Sequence, residues 1–191
     1  MNRHGHFDAL ARTLHWGMAV LILAMLFIGV GMVASLSLRP LLIDIHRPLG
    51  IAILLLALLR LFHRWHSPPP PLPADLPALQ ALAARASHGL LYAVMLAMPL
   101  LGWAMLSAGG YPIPLFAGVH LPPIAPHDAA WYALLRTAHG AFGYALFALV
   151  LAHLGAALYH AWVRRDGVFA SMTRGGAQNI APAAEDHAED A

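Results

Sequence analysis

The sequence predicts an all-α integral membrane protein, a bundle of four transmembrane helices, from three observations. Of the 191 residues, 60% are hydrophobic and only 10% are charged, whereas soluble domains carry about 25% charged residues. Such a chain cannot cover a water-facing surface. The apolar residues fall into four runs, each long enough to cross a bilayer. The thirteen histidines are out of keeping with lipid, where an ionisable side chain is costly and marks a function.

The first span is expected over residues 14–34. A signal peptide is the competing reading, since a basic start precedes the apolar run. The run of about 20 residues is longer than a usual signal core, and cleavage would discard His15. The second span covers residues 44–62 and closes on Arg60, His63, Arg64 and Trp65, a basic-aromatic edge suited to a membrane interface. Residues 67–77 hold six prolines and form a stiff connector without helix. Residues 76–85 are expected to be a short helix on the membrane surface. The third span covers 86–106, with Pro99 expected to kink it. Residues 107–130 contain Gly109, Gly110 and five prolines and read as an irregular loop with a short segment at the membrane surface. The fourth span, 131–163, exceeds what the hydrocarbon core requires and should tilt or project. Residues 1–13 are expected to form an N-terminal segment, 14–174 the membrane domain, and 175–191 a disordered acidic tail.

There is no cysteine, which excludes disulfides, thiolate metal sites, iron–sulfur clusters and thioether-linked haem. There is no lysine either, so all eleven basic residues are arginine. They form no basic face, which argues against nucleic acid as a partner. Arg3, Arg12, Arg60, Arg64, Arg85, Arg164, Arg165 and Arg174 fall on one side of the membrane, and Arg39, Arg47 and Arg136 on the other. The positive-inside rule then places both termini in the cytoplasm and the long loop on the far side, the periplasm if the membrane is a bacterial inner membrane.

A haem held by two histidines needs imidazoles from different helices at the same depth. His139 and His153 lie fourteen residues apart in the fourth span. They share one helix face and sit about 21 Å apart along the axis, a spacing that suits two haems stacked across a bilayer. His46 opens the second span at the outer end and can meet His139. His15 opens the first span at the inner end and can meet His153. His88, which opens the third span at the same end, is its rival. His160 lies one heptad beyond His153. Gly50, Gly143 and Gly155 flank these positions and permit close approach. Arg47, beside His46, is a candidate contact for a haem propionate. His4, His6, His63, His66, His120, His127 and His187 lie outside the spans and read as interfacial side chains.

The segments LHWGMAVLILA, RPLLIDIHRPLGIAILLLALLRL, SHGLLYAVMLAMPLLGW and AHGAFGYALFALVLAHLGAALYHAWVRRDGVFASM resemble the prokaryotic cytochrome b561 family of di-haem membrane proteins. More loosely, they are similar to the cytochrome b subunits of hydrogenases and formate dehydrogenases. The resemblance covers residues 12–172. It implies that His15 pairs with His153 and His46 with His139, and it places His88 and His160 beside the inner haem, where a quinone could bind. It also implies electron transfer between a periplasmic-side donor or acceptor and the quinone pool. One member of the family oxidises superoxide and passes the electrons to ubiquinone. The nearest alternative is a quinol-oxidising cytochrome b subunit serving a periplasmic redox partner. From other classes, a histidine-rich metal transporter is disfavoured because no span has an acidic residue in its interior, Asp44 lying at an end. A haem-free membrane anchor completes the alternatives.

Overall fold

The computed structural model describes residues 6–116 and 118–174. The expected acidic tail, His4, His187 and Arg3 lie outside the described residues. The chain is an all-α bundle of four long helices: α1 (Ala9–Ala34), α2 (Arg39–His66), α3 (Ala78–Ala108) and α4 (Ala129–Tyr159). Each is long and apolar enough to cross a membrane. α1 has 26 residues and α3 has 31, about 39 and 46 Å at the helical rise, against a hydrocarbon core of about 30 Å. All four therefore project beyond the lipid.

The helices begin and end for local reasons. Asp8 caps α1, its Oδ1 accepting from the Ala11 N–H at 2.8 Å, and Asp128 caps α4 in the same way towards Trp131. These caps satisfy donors that the first helical turn leaves free. A turn at residues 35–38 returns the chain into α2, which opens on Arg39 and Pro40; proline suits the first turn because its missing N–H would be unpaired there. The hairpin is tight. A Cβ on Gly31 would lie 2.9 Å from Leu42 Cδ1, so a larger residue there would require the Leu42 side chain to move. Pro48 and Pro99 lie inside α2 and α3, which nevertheless remain continuous helices.

Two expectations are corrected. Residues 78–85 are not a separate surface helix but the first turns of α3. Nothing in that stretch breaks a helix, and its polar side chains sit where α3 leaves the lipid. The loop after α3 is also better organised than its composition suggests. Pro114–Phe116 and Val119–His120 pair as a short antiparallel hairpin. Trp103 Nε1 donates to the Pro122 carbonyl (2.8 Å), the Ile124 N–H to Ser107 Oγ (3.1 Å), and the Asp128 N–H to the Ala108 carbonyl (3.0 Å). The loop is thereby stitched to the end of α3.

α1 packs along α2 and α3 along α4, whereas α4 barely touches α1. The core gathers at mid-depth from Met18, Ile22, Ile53, Ala57, Val94 and Leu146. Most other apolar side chains face outward, such as Phe27 and Val33, as expected where lipid rather than water is the solvent. Alternation of direction brings the N-termini of α1 and α3 and the C-termini of α2 and α4 to one end. That end carries seven of the eight arginines assigned to the inner side, Arg3 being outside the described residues.

α4 closes on a π-helical turn, His160–Arg164, capped by Arg165 in the left-handed region (φ 53°) with its N–H on the His160 carbonyl at 2.8 Å. A short helix, α5 (Val168–Thr173), then packs against the π-helical turn and the end of α4. Trp16 Nε1 donates to the Met172 carbonyl at 3.0 Å.

Candidate functional site

Four of the expected histidines form two facing pairs. His46 of α2 and His139 of α4 have ring centres 6.1 Å apart at an interplanar angle of 67°. His15 of α1 and His153 of α4 have centres 6.1 Å apart at 69°. The pairs lie at opposite ends of the bundle because His139 and His153 are four helical turns apart on one face of α4. Leu146 occupies the midpoint of that face and belongs to the apolar core. His88 of α3 also lies against His153, with ring centres 5.5 Å apart. His153 thus has neighbours on two helices, as the sequence left open.

The donor set fits a metal between imidazoles. Two metal–nitrogen bonds of about 2 Å, with a ring radius of about 1 Å at each end, sum to roughly 6 Å, the separation found in both pairs. The Nδ1 atoms of His46 and His139 are buried without a hydrogen-bond partner. Leaving such a nitrogen unpaired costs about 1–3 kcal/mol, and His6 Nδ1, outside both pairs, is buried in the same way; the equal ring separations are what single out these two pairs. The Met98 carbonyl lies beside the His139 ring without completing a hydrogen bond of good geometry. A carbonyl in that position orients a ligating ring when Nε2 binds metal. Because α4 stands off from α1 and α2, the space between them is where a flat group would enter. His15 and His46 stand on one wall of it, His139 and His153 on the other.

Among the described residues no three His, Asp or Glu side chains gather as a cation site. Arg47 follows His46 at the outer end, half-buried and with no carboxylate partner among the described residues.

At the inner end, His160 Nδ1 lies 2.7 Å from Asp166 Oδ2. Arg164 Nε donates to the same oxygen at 2.9 Å, and its NH2 group donates to Asp75 Oδ2 at 2.8 Å. The Val168 N–H donates to Asp166 Oδ1 at 3.3 Å. Burial pushes the Asp166 carboxyl up, but these donors together outweigh it and hold it below the usual carboxylate range. Arg60 Nε donates to the Tyr92 hydroxyl at 3.0 Å, and the Arg64 guanidinium sits 5.7 Å from the centre of the same ring.

Sequence reading missed several of these residues. Gly102 on α3 is one: a Cβ there would lie 3.3 Å from His139 Cε1, so the glycine makes room for that ring. Gly50 and Gly143 make only ordinary contacts with Met25 and Met98, and a Cβ on Gly155 would meet nothing within 4 Å. Asp166 was legible only as part of the Arg164-Arg165-Asp166 segment of the family resemblance, and Tyr92 and Asp75 had no local signal.

The sequence profile of the family described as prokaryotic cytochrome b561 matches residues 6–175. Cytochrome b561 homolog 1 of Escherichia coli K12 is 33% identical over 134 residues, 68% of this chain and 73% of the relative. Cytochrome b561 homolog 2 of the same organism is 27% identical over 179 residues, 90% and 93% of the two chains. The probable superoxide oxidase CybB of Yersinia pestis is 28% identical over 171 residues, 88% and 96%. With four apolar helices and paired histidines already in place, a family match over nearly the whole described chain is decisive: this protein belongs to the prokaryotic cytochrome b561 family of b-haem membrane proteins of electron transfer.

Proposed function

We propose that the chain carries electrons across a bacterial inner membrane between a periplasmic-side partner and the quinone pool, through two b haems. The observation that carries this reading is the pair of imidazole pairs, equal in separation and stacked along one face of α4. His46 and His139 would hold the outer haem, His15 and His153 the inner, with Arg47 facing an outer propionate. When bound, each haem would supply a one-electron couple, and being held by two histidines would suit it to electron transfer rather than oxygen binding. The protein's own part is to fix the imidazoles, exclude water with the Leu146 layer, and present His88 and His160 to a quinone at the inner end. The arginine asymmetry supports an inner end in the cytoplasm, with both termini there.

The outer partner is superoxide in this reading, which is supported by a relative of nearly full coverage that is named a probable superoxide oxidase. Two superoxide anions would give two dioxygen molecules and two electrons. A quinone would take those electrons with two protons to become quinol. Arg39, Arg47 and Arg136 at the outer end would steer an anion. A pulse of superoxide should reduce the haems of the oxidised, purified protein within the mixing time, and added short-chain ubiquinone should reoxidise them. If superoxide leaves the haems oxidised while a quinol reduces them, the chain is instead a quinol-oxidising subunit serving a periplasmic redox partner.

Gly102 offers a local check. Gly102→Ala places a methyl group against the His139 ring, which must shift by a few tenths of an ångström. The outer haem's absorption band and midpoint potential should move, and the inner haem's should not. Unchanged spectra would mean that His139 does not hold the outer haem in this orientation.

A further inference from the structure

The π-helical turn after α4 is not needed to span the membrane, and it brings together side chains that the helix itself would keep apart. We propose that Asp166 is a positioning residue. It fixes the His160 ring in one tautomer so that Nε2 is always the nitrogen presented to a quinone oxygen, with Arg164 holding Asp166 as a permanent acceptor. This rests on the quinone reading proposed above.

Asp166 Oδ2 accepts from Arg164 Nε–H at 2.9 Å and lies 2.7 Å from His160 Nδ1, while Oδ1 accepts from the Val168 N–H. A carboxylate with these donors around it is ionised and can only accept. Nδ1 of His160 must therefore carry the proton and donate it. In the neutral ring Nε2 is left bare, and in the protonated ring Nε2–H is the remaining donor. The His160 and Asp166 side chains are only 16% and 10% exposed, so water does not readily replace either partner. His160 opens the π-helical turn seven residues after His153, about 10 Å further along the axis, which places it inward of the inner histidine pair. Arg164 reaches from Asp166 to Asp75 in the proline-rich connector, so the guanidinium that holds the carboxylate is itself tied to a segment distant in sequence. In quinone reduction, the Nε2–H bond of the protonated ring breaks as one of the two new O–H bonds forms on the quinone, and the other oxygen takes its proton from water at the inner face. The two electrons come from the outer donor by way of the haems, and the ring regains its proton from water at the inner face. In quinol oxidation the same nitrogen accepts the proton.

The test compares Asp166→Asn, Asp166→Glu and His160→Gln in the haem-loaded, full-length protein. Mixing stoichiometrically reduced protein with short-chain ubiquinone gives the rate and the apparent KM of haem oxidation. Asp166→Asn should slow the maximal rate about 10- to 100-fold, with KM little changed and both haem spectra intact. Asp166→Glu should recover most of the rate. In 15N-histidine-labelled protein, the signal lost in His160→Gln should report a protonated Nδ1 in the wild type, and a mixture of tautomers in Asp166→Asn. The proposal is overturned if Asp166→Asn keeps the wild-type rate, if the tautomer is unchanged, or if a haem is lost. If His160→Gln itself turns over quinone normally, the quinone reading fails at this site, whatever the tautomer result.

Discussion

Alanine at His139 is expected to remove one haem and leave the other, cutting the haem-to-protein ratio by about half and abolishing electron transfer across the membrane. His139 is half-buried, with its Nδ1 closed to water. The imidazole that faces it, that of His46, stands at the separation one metal would span. Removing either ring would leave the other without the metal the two would share. His46→Ala should therefore produce the same loss, and the double variant should be no worse than either single one. Groups that act on one metal as a unit are not additive. The measurement is haem content and the reduced alpha band per mole of purified protein. Should His46→Ala and His139→Ala remove different haems, or the double variant lose both, the two rings do not share a site and the outer assignment is wrong.

How far the sequence alone reached depends on how local each signal is. α4 was legible because His139 and His153, with His160 just past its end, recur at multiples of seven along one helical run, where residue spacing converts directly into depth and face. The depth-matching of His46 and His15 needed only the alternation of span direction. Gly102 was not legible, since its meaning depends on how closely α3 approaches α4 at that level. The His160–Asp166 contact was hidden for another reason. Six residues apart is not a neighbouring position on an α-helix. The two meet because a π-helical turn and a left-handed Arg165 reverse the chain. The Arg164–Asp75 pair spans 89 residues and has no trace in local pattern. The break expected before residue 86 followed hydropathy, but a helix that leaves the lipid can stay helical.

The second large effect separates the two candidates at the inner end. His15→Ala and His153→Ala should each eliminate the inner haem, whereas His88→Ala should keep both haems and lose quinone-dependent turnover by about 10-fold or more. Sequence left His15 and His88 as rivals for His153, and both lie near it, at 6.1 and 5.5 Å between ring centres. Two features of the bundle favour His15. Its separation from His153 equals that of the outer pair, as two sites for the same group require. The second is how the helices pack. α3 and α4 share the most extensive interface in the bundle, and helices in such contact have axes about 8–10 Å apart. A flat macrocycle cannot lie between them without prising that interface open. α1 and α4 barely touch, so a haem on His15 and His153 displaces little packing and fills the space that separates them. His88 would then approach the inner haem from the side, free to hydrogen-bond a substrate. Spectra of the three variants decide the matter: retention of the inner haem in His15→Ala with its loss in His88→Ala would reverse the assignment and move His15 to the quinone side.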